Sequence, residues 1–167
     1  MSIWTVAKLV HIFAGVFWIG AAAIVSLFLV PAVRASGPAG GTVMKQLMGK
    51  QKLTLWINIA AILTVLCGVG MYQHRMGSFK LLPLDTLYGF GLTVGSLAGL
   101  SAFLFGAFVQ GRNARRMGKI IAELKGPPTP EQGAQIASLQ RKLFIGGIFG
   151  VTLLTIALAG MILTHPL

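Results

Sequence analysis

The chain is poor in cysteine and in charge. It has a single cysteine, Cys67, which excludes a disulfide within one chain and a metal site built from cysteines alone. Only 10% of its 167 residues are charged and only three are acidic, whereas a soluble domain of this size carries about 25% charged residues. So few charges cannot cover a chain that is 55% hydrophobic. These shortages exclude an ordinary soluble domain and indicate a protein whose solvent is the lipid bilayer.

Long apolar runs contain most of the hydrophobic residues. We predict membrane spans at about 4–33, 53–75, 86–110 and 143–164, each long enough as a helix to cross a hydrocarbon core of about 30 Å. Within lipid every backbone polar group must be satisfied inside the segment, so such runs form helices. The sequence therefore predicts an all-α, integral membrane four-helix bundle that forms one domain over residues 1–167. It has no carboxylate within a span, which excludes an Asp/Glu proton relay.

The 14 lysines and arginines are divided unevenly between the two sides of this bundle. Eleven of them lie in the connections 34–52 and 111–142, and the other three are Lys8, Arg75 and Lys80. Cytoplasmic connections of membrane proteins carry the excess of basic residues, so we predict that both termini are periplasmic in a bacterial inner membrane. The membrane topology therefore accounts for the net charge of +11. Because the basic residues flank apolar runs rather than form one groove or face of a soluble domain, we expect no nucleic-acid partner.

The second cytoplasmic connection has the pattern of a helical hairpin. Residues 112–125 have a helical composition and are predicted to continue the third span, and the Gly and Pro residues of 126–128 end that helix. Thr129, Pro130 and Gln132 then form an N-terminal capping pattern. We therefore predict that the fourth helix starts near Pro130, before it enters the membrane.

Glycines recur at four-residue spacing on two spans, at Gly91, Gly95 and Gly99 on the third and at Gly146 and Gly150 on the fourth. Small residues at this spacing let helix backbones approach closely. We expect these faces to pack within the bundle or in a homodimer. A flat macrocycle needs a smooth surface of the same kind, and the spacing alone does not separate the two uses.

Histidine is the main ionisable residue type within the spans. His11, His74 and His165 all fall toward the predicted outer side, and ionisable groups inside a membrane are costly enough to indicate function. On the first span, His11 shares a face with Gly15 and Trp18 at helical spacing. This pattern predicts that the His11 imidazole lies beside a narrow gap for a planar group, with Trp18 as the aromatic wall of the gap. The alternative is that His11 is hydrogen-bonded to a neighbouring helix.

The second span adds further metal ligands. Cys67, Met71 and His74 share one face, and their thiolate, thioether and imidazole groups suit copper, while imidazole with or without thioether suits haem iron. We predict His11 and His74 as the metal ligands, with Met71 or His165 as the replacement for His74. Met71 and Cys67 also suit an apolar helix core without any ligand role.

Cations on the predicted outer side can serve the same site. Lys8 and Arg75 lie near the two histidines in sequence and topology, where they would pair with the propionates of a haem. Contact with lipid headgroups explains them equally well.

The first helix (KLVHIFAGVFWIG), with Lys8, His11, Trp18 and Gly20, resembles the opening helix of a group of small bacterial membrane proteins. The group includes the HemJ-type protoporphyrinogen oxidases and the CopD-type copper-resistance proteins, and the likeness extends in outline over the four helices and the basic inner connections. The HemJ-type resemblance implies that His11 is a haem b ligand, and the CopD-type resemblance implies copper handling. HemJ-type proteins also use a lysine at the start of the third span, whereas residues 87–93 (LYGFGLT) contain none.

Three functions remain open at this point. The favoured one is a haem b-binding redox protein of the inner membrane, acting on a porphyrin or exchanging electrons with a quinone or a periplasmic partner. A copper-binding or copper-transporting protein is the second, and a non-catalytic membrane assembly subunit is the third.

Overall fold

Five helices make up the regular structure of the part of the chain that the computed structural model describes. That part comprises residues 1–77, 84, 86–124, 126 and 128–163, without the side chains at 38, 39 and 76. The helices are α1 (Ile3–Ala35), α2 (Gly37–Lys45), α3 (Leu53–Met76), α4 (Leu87–Glu123) and α5 (Pro130–Leu163). Four of them, α1, α3, α4 and α5, are long and apolar enough to cross a membrane, so the all-α class and the four apolar helices are confirmed.

Local chemistry sets the ends of these helices. Ser2 caps α1 by accepting a hydrogen bond from the backbone N–H of Thr5, and Thr86 caps α4 by accepting one from the backbone N–H of Gly89. Helix α3 ends where Gly77 takes a left-handed conformation with φ +65°, which a side chain would disfavour. The predicted spans 4–33 and 53–75 match α1 and α3 to within two residues, whereas α4 and α5 extend beyond the spans 86–110 and 143–164 at one end.

The predicted hairpin is present. Helix α4 continues without a break from the apolar run to Glu123, and α5 begins at Pro130. Thr129 and Gln132 form a reciprocal capping box: the Thr129 hydroxyl accepts from the Gln132 N–H, and the Gln132 side chain accepts from the Thr129 N–H. The structure thus confirms both the helical extension and the start of the last helix. Lys125 and Pro127, between them, lie outside the described residues.

Three segments have π-helical hydrogen bonding, Ile24–Leu29 within α1, Gln46–Lys50 after α2 and Phe105–Gln110 within α4. Hydrophobic patterning does not distinguish a π-helical turn from an α-helical one, so the sequence did not predict them. They lie toward the end of the bundle that carries the hairpin, and two of them contact α5 there.

The four long helices pack in chain order around the bundle. The closest pairs are α1 with α3 and α4 with α5, and α3 also contacts α4 while α5 returns to α1. The interior is small, with Trp18, Ala60, Ala61, Ala102 and Leu154 forming the buried cluster. Large side chains such as Phe13, Phe28 and Phe108 are exposed, which is the distribution expected of helices that contact lipid.

Glycine makes the contact between α4 and α5 very close. A Cβ on Gly160 would lie 2.5 Å from the Gly91 carbonyl oxygen and 2.7 Å from the Gly95 Cα, so a side chain there would force the helices apart. Gly99 approaches Ala157 in the same interface, whereas Gly150 has open space around its Cα. The glycines of the third span therefore pack inside the bundle, and their partners are Gly160 and Ala157 rather than Gly150.

Candidate functional site

His11 makes a hydrogen bond from α1 to the backbone of α3. Its Nδ1 lies 2.7 Å from the carbonyl oxygen of Thr64, and the ring is half-buried. A carbonyl oxygen only accepts, so Nδ1 carries the proton and donates. In the neutral imidazole this leaves Nε2 with its lone pair, which is the form that binds a metal.

Gly68 provides the room for this ring. A Cβ at position 68 would lie 2.9 Å from Cε1 and 3.2 Å from Nδ1 of His11. The glycine stands four residues after Thr64, so it leaves the Thr64 carbonyl open to a neighbouring helix as well as to its own. The Thr64 hydroxyl itself donates to the Ala60 carbonyl at 2.8 Å, so the backbone carbonyl of Thr64, and not its hydroxyl, makes the hydrogen bond to α1.

The predicted face of α1 exists, and α3 packs against it. Gly15 approaches the Thr64 methyl group, at 3.5 Å from an ideal Cβ, and Trp4 lies beside Gly70. Trp18 is buried, at 8% exposure, and meets the ring of Phe103 edge-on at 6.4 Å. Trp18 is therefore part of the bundle interior as well as the residue predicted to form an aromatic wall.

His74 is engaged with Trp4 at the other end of the α1–α3 contact. The two rings are stacked, with centroids 3.9 Å apart and planes 9° from parallel. Stacking covers one face of the imidazole and leaves its nitrogens, which lie in the ring plane, for other partners. Next to it the Arg75 guanidinium lies 5.5 Å from the centroid of the Tyr88 ring, a cation–π contact that joins α3 to α4.

The two histidines contact α3 at different levels. His11 lies on Gly68, and His74 is six residues further along, about 9 Å at 1.5 Å rise per residue. Two imidazoles that share an iron need their nitrogens about 4 Å apart on opposite sides of it, if metal–nitrogen bonds are about 2 Å. In this structure His11 is hydrogen-bonded to the Thr64 carbonyl and His74 is stacked on Trp4, so the two imidazoles do not meet.

The remaining predicted ligands are divided in the same way. Met71 and Cys67 are half-buried on α3, with Cys67 a free thiol, and Lys8 is exposed on α1. Among the residues that the structure describes, no group of three or more His, Cys, Asp or Glu is arranged to hold a metal ion. His165 and Lys80 fall outside the described residues, so their predicted roles stay predictions.

Sequence reasoning missed three members of this arrangement: the Thr64 carbonyl, Gly68 and the Trp4 partner of His74. A backbone acceptor leaves no mark on residue type, so the only available signal was Gly68, one turn after Thr64 on an apolar helix.

Comparison with known proteins gives no relative: no family model, no curated protein and no solved structure matches this chain.

Proposed function

We propose that this chain is a haem b-binding redox protein of a bacterial inner membrane and that His11 is an axial ligand of the haem. The observation that carries the proposal is the hydrogen bond from His11 Nδ1 to the Thr64 carbonyl. Metal-binding histidines regularly donate their second ring nitrogen to a carbonyl or carboxylate, which fixes the tautomer and raises the basicity of the ligating nitrogen. The resemblance of the first helix to the HemJ-type group supports the same residue.

The residues around His11 fit one ligand of a haem. Gly68 gives the imidazole room, Thr64 holds its orientation through the backbone, and Gly15 continues the small-residue surface one turn along α1. A bound haem supplies one-electron transfer at a potential tuned by its axial ligands and their hydrogen bonds. The protein's part is to hold the His11 ring through the hydrogen bond of Nδ1, which leaves Nε2 as the nitrogen to bind the iron.

His74 is the second ligand that the sequence predicts. Because its ring is stacked on Trp4, this role requires the ring to leave that stack. Its ring nitrogens remain in plane and usable, but its ring would have to move about one to two helical turns toward His11. Met71 lies on α3 between Gly68, which contacts His11, and His74. Its thioether is the proposed second ligand if the His74 ring stays stacked on Trp4.

The outer end of the bundle is the proposed place of electron exchange. Lys8 and Arg75 are exposed cations there and are positioned in sequence to pair with haem propionates. A quinone or a periplasmic redox protein is the proposed partner. Porphyrin oxidation is the less favoured activity, because residues 87–93 lack the lysine that HemJ-type proteins use.

The proposed orientation places both termini in the periplasm, on the basis of the lysine and arginine distribution. Reporter fusions test it directly: fusions at Gly40 and Gly126 are expected to report a cytoplasmic location. A periplasmic signal at both positions would contradict the proposed orientation, and opposite signals at the two would contradict the placement of His11 and His74 toward the same leaflet.

The test of the proposal is an absorption spectrum with metal analysis on detergent-purified protein from haem-replete cells. We expect wild type to show a reduced-minus-oxidised b-type spectrum and His11→Ala to lose it. Thr64→Val is the matched control, because it removes the hydroxyl and keeps the carbonyl that binds His11, so its spectrum should match wild type. His74→Ala decides the second ligand: a lost low-spin signal assigns His74, and an unchanged one assigns Met71 or His165. Copper without haem would contradict the proposal.

A further inference from the structure

The helical hairpin contains a cleft that is separate from His11. It lies between the end of α4 and the start of α5, has a volume of about 420 Å³ and is open to the surroundings. Arg116, Lys119 and Ile120 line it from α4, and Gln135, Ser138, Leu139 and Lys142 line it from α5, so that much of its wall is apolar. Two facing helices therefore bring three cations and two neutral hydrogen-bonding side chains to one concave surface.

The cleft lies where the apolar parts of α4 and α5 end. The Gln110 amide donates to the Leu143 carbonyl at 3.0 Å, which joins the two helices at that boundary. Lys142 directly precedes Leu143, and Arg116 is six residues beyond Gln110, about 9 Å along the helix. The polar headgroup layer of a bilayer extends about 5–8 Å beyond the hydrocarbon core on each side. Lys142 thus stands at headgroup depth, whereas Arg116 and Lys119, about 9 Å and 14 Å beyond Gln110, start past that layer and reach it only by extending their side chains back toward the bilayer.

Acidic side chains lie outside the cleft, with Glu123 and Glu131 one helical turn from Lys119 and Gln135. The lining contains no acidic residue within the part of the chain that the structure describes, and the whole chain has only three acidic residues against 14 basic ones. A general excess of basic residues on one side of the membrane requires cations on this connection. It does not require them on the facing surfaces of two helices, where they repel one another.

We propose that this cleft binds the phosphate of an anionic phospholipid headgroup. Arg116 and Lys119 approach the phosphate from α4 and Lys142 from α5, while Gln135 and Ser138 donate hydrogen bonds to its other oxygens or to the glycerol hydroxyls. Basic pockets at the ends of membrane helices are suited to such headgroups. Binding there fixes the hairpin to the bilayer surface, and it does so whether or not His11 holds a haem.

Native mass spectrometry of the full chain from detergent tests the proposal, with phosphatidylglycerol titrated as the anionic probe and phosphatidylcholine as the zwitterionic one. Wild type should bind one phosphatidylglycerol more tightly than any phosphatidylcholine. In the triple variant R116Q/K119Q/K142Q the apparent Kd should rise by on the order of 100-fold, because each cation near an anionic surface contributes roughly a factor of five.

The matched control is R34Q/K45Q/K50Q, which removes the same charge from the other connection and should change the apparent Kd less than about threefold. Equal losses in both triple variants would overturn the proposal, since net charge alone would then explain binding. Equal binding of the two lipids would overturn it, and so would complete displacement by inorganic phosphate at the lipid concentration, which would assign the cleft to a soluble anion. If the triple variant loses helicity, the single variant Lys119→Gln replaces it, with an expected rise of about fivefold.

Discussion

Substitution of Gly68 tests the packing on which the His11 geometry depends. In Gly68→Ala the new Cβ would stand 2.9 Å from Cε1 of His11, closer than a Cβ approaches another heavy atom without displacement, and 3.2 Å from Nδ1, which is a tight contact. The imidazole has to rotate away, and its hydrogen bond to the Thr64 carbonyl breaks. The matched variant is Gly70→Ala on the same helix, whose Cβ would lie 3.9 Å from the Trp4 ring, an ordinary contact.

Comparison of the two variants isolates the cost of displacing His11. Each gains about 1 kcal/mol of helix propensity on replacing glycine by alanine, so that gain cancels. Gly68→Ala then loses a hydrogen bond worth about 0.6–1 kcal/mol and adds overpacking of about 1–3 kcal/mol. We expect Gly68→Ala to be less stable than Gly70→Ala by about 2–4 kcal/mol.

The free energy of unfolding is measured by SDS titration in mixed micelles, followed by far-UV circular dichroism. Nitrogen-15 NMR of labelled histidine provides a second measurement, because it reports whether His11 keeps the Nδ1–H tautomer. If Gly68→Ala is as stable as Gly70→Ala and keeps the wild-type tautomer, His11 does not lie against Gly68 and the site geometry is wrong.

Two further substitutions test the fold. Gly160→Ala should destabilise the protein by at least about 2 kcal/mol, because its Cβ would overlap the α4 backbone. Gly150→Ala, the control, should be neutral or slightly stabilising, because its Cβ would meet open space. Equal unfolding free energies for the two variants in SDS titration would refute the close α4–α5 contact. Thr129→Ala removes half of the capping box at the start of α5 and should cost about 1 kcal/mol, seen as faster amide hydrogen exchange in residues 131–134. Unchanged exchange there would show that the box does not stabilise this end of the helix.

The helices were predictable from the sequence because lipid imposes strong rules on composition. A long run without charge has to be a helix in a membrane, and Thr129 with Gln132 marks the start of α5 through side chains whose only use at that spacing is a cap. Residues 112–123 were assigned correctly because their composition is helical beyond the apolar run. Each of these features is local, so a single sequence contains it.

The candidate site was only partly predictable because its partners are non-local. The face of α1 with His11, Gly15 and Trp18 follows from helical periodicity, but nothing in the sequence states which helix covers it. The acceptor of His11 is a backbone carbonyl, which every residue has, and the Trp4 stack pairs residues 70 positions apart. Pairing His11 with His74 rested on residue type and approximate depth, and the contacts of the two rings on α3 differ by about 9 Å.

Chemical rescue of His11 tests the central claim most directly. His11→Gly removes the imidazole and leaves a space beside Gly68 that free imidazole can enter. We predict that the purified variant, supplied with haem, lacks the wild-type reduced b-type spectrum and recovers it when imidazole is added, while circular dichroism shows the same helix content throughout. A His11→Gly protein with an unchanged spectrum, or a wild-type protein that binds no haem, would contradict the assignment of His11 as the haem ligand.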